Sequence, residues 1–191
     1  MPFNLPIFLT WLRILLIPLF VGVFYAPQSL LSATDKNILG AAIFAAAAAT
    51  DWLDGYLARA LGQTSAFGAF LDPVADKLMV AAALIVLVHL NRTESWIAVV
   101  IIGREITISA LREWMAQLGA SRSVAVSFIG KLKTAAQMVA IVLLLYFDRV
   151  LQVIDAAFIG EKLMWIAAVL TLWSMVYYLR MAWPQLKDHA N

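Results

Sequence analysis

Four aspartates in two short segments have the residue types and spacing best suited to chemistry. They are Asp51 and Asp54 in DWLDGYLAR, and Asp72 and Asp76 in GAFLDPVAD. They make up four of the chain's twelve acidic residues and fall within 26 positions in otherwise apolar surroundings. Spacings of i,i+3 and i,i+4 place each pair on one helix face. Since a short connection makes the two helices antiparallel neighbours, we expect all four carboxylates to converge.

Carboxylates this close together repel one another unless they bind a cation or take up protons. The chain has no cysteine, and its two histidines, His89 and His189, lie far apart in sequence. Thiolate sites are therefore excluded, and a zinc site is disfavoured. Oxygen ligands alone favour Mg²⁺ or Mn²⁺. With four carboxylates we expect two ions, an arrangement suited to in-line displacement at phosphorus.

The residues around the aspartates help to decide whether these carboxylates form a ligand-binding site or are solvated at the surface. Gly55 and Ala58 share the helix face of Asp51, so their small size leaves a hollow where a ligand can approach. The alternative is that the carboxylates are solvated at a membrane surface. Asp76 argues against it, because it lies about two turns into an apolar stretch, where an idle carboxylate is costly.

Basic residues form a second constellation further along the chain. Glu105 and Arg112 lie on one helical stripe with Arg104 beside it, and Lys131 and Lys133 open a later helix. Fixed cations near a metal site suit an acceptor that carries its own phosphate. Arg104, Arg112, Lys131 and Lys133 are therefore candidate ligands of that phosphate. Two alternatives stay open: the cations could anchor lipid head groups, or Arg104 could instead neutralise Glu105.

The composition places these residues in a membrane protein. Hydrophobic residues make up 63% of the chain and charged residues 14%, against about 45–50% and about 25% in soluble domains. With a net charge of +2 and no basic run, nothing points to nucleic acid. Six stretches approach the roughly 20 apolar residues that a membrane-crossing helix needs. They are residues 7–25, 37–60, 69–90, 95–115, 131–148 and 161–183.

The six spans form one domain, residues 1–191, with both termini on one side of the membrane. Near loops and ends, that side carries seven Lys or Arg residues against four on the other, which favours cytoplasmic termini. We read the N-terminal residues as an uncleaved part of the first span.

The aspartate segments together follow the pattern D-x2-D-G-x2-A-R-x8-G-x3-D-x3-D. Its positions are occupied by Asp51, Asp54, Gly55, Ala58, Arg59, Gly68, Asp72 and Asp76. In this signature, and over nearly its whole length, the chain resembles the CDP-alcohol phosphotransferase family. The resemblance implies an all-α integral membrane protein, usually a homodimer, with six transmembrane helices around a polar cavity open to the cytoplasm.

The resemblance also implies roles for the signature residues. Asp51, Asp54, Asp72 and Asp76 would hold two divalent ions, and Asp76 is the candidate general base. The cytidine and diphosphate of the donor would lie beside the remaining signature residues, Gly55, Ala58, Arg59 and Gly68. Asn4, Thr10 and Arg13 of the first span also resemble family positions. From the residues alone, Arg13 fits a side chain that snorkels to the membrane surface equally well.

The expected reaction transfers the phosphatidyl group of CDP-diacylglycerol to sn-glycerol 3-phosphate at the cytoplasmic face of a bacterial inner membrane, for phospholipid biosynthesis. Within the family, the acceptor could instead be inositol phosphate, serine or phosphatidylglycerol. A cation transporter is the alternative from another class, because intramembrane carboxylates also mark ion pathways. The fixed Gly, Ala and Arg positions disfavour it, since an ion path needs no nucleotide-sized hollow.

Overall fold

A computed structural model of the chain describes residues 5–60, 66–117, 128–150 and 154–188. Six helices make up most of them: α1 (Leu5–Tyr25), α2 (Ala33–Ala60), α3 (Ala66–His89), α4 (Ser95–Gln117), α5 (Phe128–Tyr146) and α6 (Ala156–Asp188). Between α5 and α6, the two-residue strands β1 (Arg149–Val150) and β2 (Ile154–Asp155) pair antiparallel. Apart from this short pair, the described part of the chain is helical, as predicted.

Helices α2 and α6 begin four and five residues earlier than the predicted spans at 37 and 161, because caps precede them. At α2, the Ser32 hydroxyl accepts a hydrogen bond from the Asp35 N–H, and the Asp35 carboxylate accepts one from the Ser32 N–H, both at 3.2 Å. At α6, Asp155 Oδ1 accepts from the Phe158 N–H at 3.0 Å. Such caps satisfy the free N–H groups of the first helical turn. The predicted loops 26–36 and 149–160 were therefore too long.

An apolar core fills the half of the bundle where α1, α3 and α5 end. Its largest buried members include Phe20, Phe44, Leu84, Leu87, Ile101 and Ile141. Helix α1 packs on α2 and α3, whereas α6 packs on α4 and α5. The approach of α5 and α6 is close, since a Cβ added at Gly160 would lie 2.9 Å from Leu144 Cγ. This packing leaves the opposite half of the bundle for polar side chains.

The bundle is apolar outside and carries charges inside. Each helix exposes large hydrophobic side chains, among them Leu15, Leu39, Ile85, Val99, Val139 and Trp173. Arg13, Arg104 and Lys133 are buried. This reverses the distribution in water-soluble proteins. Within the described residues, two helical segments, Ile7–Tyr25 and Ala156–Trp183, are long and apolar enough to cross a membrane. The chain is therefore a membrane-associated helical protein.

Candidate active site

The polar side chains of the bundle gather where α1, α3 and α5 begin and α2, α4 and α6 end. Contacts between helices far apart in sequence show that these ends meet. Examples are Thr10 of α1 with Asp72 of α3, and Arg112 of α4 with Tyr178 of α6. Side chains from different helices therefore contact one another at this end of the bundle, as predicted.

Helix α1 supplies partners to two of the four aspartates. Arg13 is 1% exposed, and its Nη1 lies 2.8 Å from Oδ1 of Asp51. The fully buried Thr10 donates its hydroxyl hydrogen to Oδ1 of Asp72. Thr10 and Arg13 are three residues apart and so share one face of α1. Asp51 and Asp72 therefore both contact this face of α1. Of the two readings of Arg13, the snorkelling one is wrong, because its guanidinium points inward to a carboxylate.

Asp76 lies one helical turn beyond Asp72 and is partly buried. It is close enough to Asp51, Arg13 and Glu105 for their charges to act on it. Arg13 and Asp76 also line a small cavity that Phe44 and Met79 border. Asp76 therefore lies within electrostatic reach of carboxylates on α2 and α4 and of Arg13 on α1.

The chemistry of these donors fits Mg²⁺ or Mn²⁺, because the described side chains offer carboxylate oxygens without thiolate or imidazole. No group of three or more His, Cys, Asp or Glu suited to a metal occurs among the described residues. The side chain of Asp54, the fourth predicted ligand, lies outside them. Asp51 exposes 44% of its side chain, so one predicted ligand is open to an incoming ion. The two-ion site stays a prediction.

Glu105 forms ion pairs with two of the four predicted phosphate ligands. Lys133 of α5 donates to its Oε1, and Arg104 Nη1 lies 3.2 Å from the same oxygen. Lys133 and Arg104 are both buried. Since a buried cation is costly without a partner, this carboxylate explains how both can be inside. The alternative that Arg104 neutralises Glu105 is confirmed. Phosphate binding by Arg104 and Lys133 stays a prediction.

The other two predicted phosphate ligands, Arg112 and Lys131, are arranged differently. Lys131 is exposed in the first turn of α5. Arg112 Nη2 donates to the Tyr178 hydroxyl at 3.1 Å, and its guanidinium lies 5.1 Å from the centre of that ring. No sequence pattern pointed to Tyr178, because tyrosines near the ends of membrane helices are common.

The predicted donor site falls mostly outside the described residues. Asp54, Gly55, Ala58 and Arg59 continue α2, but their surroundings are not among those described. Gly68 is buried in the first turn of α3. The assignment of these residues to the donor stays a prediction.

A cavity of about 590 Å³ lies at the opposite end of the bundle. It is formed between the α3–α4 and α5–α6 connections and lined by residues such as Arg92, Glu94 and Asp155. None of the predicted site residues lines it. The chemistry of the aspartates and cations is therefore separate from this cavity.

Known proteins resemble this chain over nearly its whole length. The family model for CDP-alcohol phosphatidyltransferase matches residues 3–173. A protein of Escherichia coli is 52% identical over 191 residues, covering 98% of this chain and all of the relative. One of Shigella flexneri serotype 5b shows the same identity and coverage. One of Haemophilus influenzae is 51% identical over 193 residues, covering 99% of this chain and 98% of the relative.

Each of these three relatives is named CDP-diacylglycerol–glycerol-3-phosphate 3-phosphatidyltransferase. The family resemblance inferred from the aspartate signature is confirmed over nearly the full length of the chain. This protein belongs to the CDP-alcohol phosphatidyltransferase family.

Proposed function

We propose that this protein transfers the phosphatidyl group from CDP-diacylglycerol to sn-glycerol 3-phosphate, forming phosphatidylglycerophosphate and CMP in phospholipid biosynthesis. The observation that carries the proposal is the identity of about half of all residues, along the whole chain, to relatives named for this activity. The polar end of the bundle supports it, because carboxylates and cations from different helices meet there. The family match leaves no observation in favour of a cation transporter.

We place the enzyme in a bacterial inner membrane, with all six helices crossing it and a polar cavity open to the cytoplasm. The helices contain 19 to 33 residues, which correspond to about 28–50 Å at a rise of roughly 1.5 Å per residue. A hydrocarbon core of roughly 30 Å matches this range. The polar end faces the cytoplasm because most Lys and Arg near helix ends lie there. The family resemblance also implies a homodimer.

Two Mg²⁺ or Mn²⁺ ions would be held by Asp51, Asp54, Asp72 and Asp76. When bound, they would supply positive charge against the donor diphosphate and the departing CMP. The protein's own contribution is to keep the carboxylates in place. Thr10 and Arg13 do this for Asp72 and Asp51, and both are buried too deeply to move freely.

Asp76 in its carboxylate form accepts the proton from the 1-hydroxyl of glycerol 3-phosphate. The resulting oxygen attacks the phosphorus that bears the diacylglycerol. A new phosphorus–oxygen bond forms as the bond to the CMP oxygen breaks, and CMP leaves with the bonding electron pair. Gly55, Ala58, Arg59 and Gly68 border the cytidine and diphosphate of the donor, while the acyl chains stay in lipid.

The phosphate of the acceptor carries about two negative charges into a region already rich in carboxylates. Arg112 and Lys131 are the cations best suited to receive it. Lys131 is exposed, and Arg112 binds a neutral hydroxyl. Arg104 and Lys133 share the carboxylate of Glu105, so they offer less charge to a substrate.

Purified protein, given CDP-diacylglycerol and each candidate acceptor in turn, tests the proposal. CMP release should be rapid with glycerol 3-phosphate and slow with inositol phosphate, serine or phosphatidylglycerol. Mass spectrometry should identify phosphatidylglycerophosphate as the lipid product. Asp72→Asn should abolish release, whereas Asp35→Asn, at the capped start of α2, should retain it. Preferred use of another acceptor would refute the named reaction while leaving the family assignment intact.

A further inference from the structure

Tyr178 is an inward-facing residue of α6 that no signature position predicted. Its side chain is fully buried and packs with Ile108, Met115 and Ala182. Its neighbour Tyr177 is 42% exposed on the apolar outer face of the same helix. A buried tyrosine needs a hydrogen-bond partner for its hydroxyl. Tyr178 finds one in the charged end of the bundle rather than at the membrane surface.

That partner is Arg112, whose Nη2 donates to the Tyr178 hydroxyl at 3.1 Å. The ring of Tyr178 also lies within cation–π distance of two guanidinium groups, 5.1 Å from Arg112 and 5.5 Å from Arg104. Both arginines come from α4, eight residues apart. One aromatic ring from α6 therefore orders two cations on the facing helix.

The two arginines differ in how much charge they can offer. Arg104 shares the Glu105 carboxylate with Lys133. Among the described residues, no carboxylate lies within ion-pair distance of Arg112. The Arg112 Nε is buried and has no hydrogen-bond partner in that part of the chain. Because a tyrosine hydroxyl is neutral, it fixes the guanidinium without cancelling its charge. A carboxylate in its place would do both.

We propose that Tyr178 is a positioning residue that aims the Arg112 guanidinium at the phosphate of the acceptor and so sets the preference for a phosphorylated alcohol. This inference rests on the proposed function, because it assumes an acceptor with a phosphate. An oriented guanidinium fork matches phosphate geometry through two parallel hydrogen bonds. The unused Nε donor and the remaining Nη donors of Arg112 are available for such a pair.

Tyr178→Phe tests the proposal, because it removes the hydroxyl and retains the ring and its packing. The Michaelis constant for glycerol 3-phosphate should rise about 3- to 10-fold, the effect of losing one hydrogen bond of ordinary strength, because Tyr178 acts on the acceptor only through Arg112. The Michaelis constant for CDP-diacylglycerol and kcat should change less than about twofold. The inhibition constant of inorganic phosphate, competing with the acceptor, should rise by the same factor as the acceptor's Michaelis constant. Tyr177→Phe is the matched control and should leave all four constants unchanged.

A purely structural role for Tyr178 predicts a different pattern, in which kcat and both Michaelis constants worsen together. The Arg112→Ala background separates the two roles. There, Tyr178→Phe should have no further effect on the acceptor constant, because the residue it positions is gone. Tyr178→Met, which removes the ring and its cation–π contacts as well as the hydroxyl, should raise the acceptor constant at least as much as Tyr178→Phe does.

An unchanged acceptor constant in a folded Tyr178 variant would overturn the proposal. So would full additivity with Arg112→Ala. Failure of the proposed function would look different, because the wild-type protein would then release CMP fastest with an acceptor other than glycerol 3-phosphate. The two ideas can therefore fail separately.

Discussion

The buried ion pair between Glu105 and Lys133 should respond unequally to loss of its two members. Lys133 exposes 1% of its side chain, Arg104 exposes 8% and Glu105 exposes 25%. Glu105→Gln removes the carboxylate and leaves two buried cations without their ion-pair partner. Removing one partner of a buried pair costs about 3–5 kcal/mol. Because Glu105 is a quarter exposed, we expect the lower end, about 3 kcal/mol, in the free energy of unfolding.

Lys133→Met should cost less, because Glu105 keeps Arg104 at 3.2 Å. The expected loss is about 1.5–2 kcal/mol, the lower part of the range for one hydrogen bond to a charged group. The double variant carries neither the lysine charge nor the carboxylate. Its loss in the free energy of unfolding should be smaller, by about 1–3 kcal/mol, than the sum of the losses in the two single variants.

Denaturant unfolding of the detergent-solubilised protein measures these differences. Glu161→Gln is a suitable control, since Glu161 pairs with Lys162 at 3.8 Å with both side chains more than half exposed. That exposed pair should contribute little. Equal costs for Glu105→Gln and Lys133→Met, added without coupling in the double variant, would refute the argument for a shared buried carboxylate. Measuring the acceptor's Michaelis constant in the Lys133→Met variant also tests its predicted role as a phosphate ligand.

Three further predictions concern the reaction itself. Chelation of divalent metal should abolish CMP release, and Mg²⁺ or Mn²⁺ should restore it better than Zn²⁺, because the ligands are oxygens. Full turnover without metal would contradict this. Asp76→Asn should preserve thermal stability and lower kcat by about 10²- to 10⁴-fold, the usual contribution of a positioned base; near-normal turnover would remove Asp76 from that role. Lys131→Ala should raise the Michaelis constant for glycerol 3-phosphate about 10- to 150-fold, which corresponds to losing about 1.5–3 kcal/mol. The exposed Lys162→Ala control at the other end of the bundle should not.

The sequence predicted the helices well but misplaced several of their ends. All six predicted spans coincide with helices, because long apolar stretches of helical length are a local property of the chain. The starts of α2 and α6 were missed because a hydropathy pattern does not include the Ser32–Asp35 and Asp155 caps. The short β1–β2 pair was missed because two-residue strands have no periodicity to detect.

For the candidate site, the sequence named the chemical groups but not their partners. Asp51 and Asp72 were predicted to meet, and contacts to one face of α1 support this. From the sequence, Arg104 could bind the acceptor phosphate or neutralise Glu105. Only the structure shows that Glu105 Oε1 contacts both Arg104 and Lys133. Arg13 was left between a site position and the membrane surface, and only the structure places its side chain inside.

The sequence by itself determined the six helices, the family and the acidic and basic residues at one end, because all of these follow from composition and fixed spacing along single helices. The tertiary structure alone decided which charges neutralise one another and which stay available. In a membrane helix both the lipid-facing and the protein-facing sides are apolar, so hydrophobic pattern specifies weakly which face turns inward. The rotation of each helix about its own axis is set by tertiary packing. It brings Arg13 to Asp51, Lys133 to Glu105, and Arg112 to the neutral hydroxyl of Tyr178.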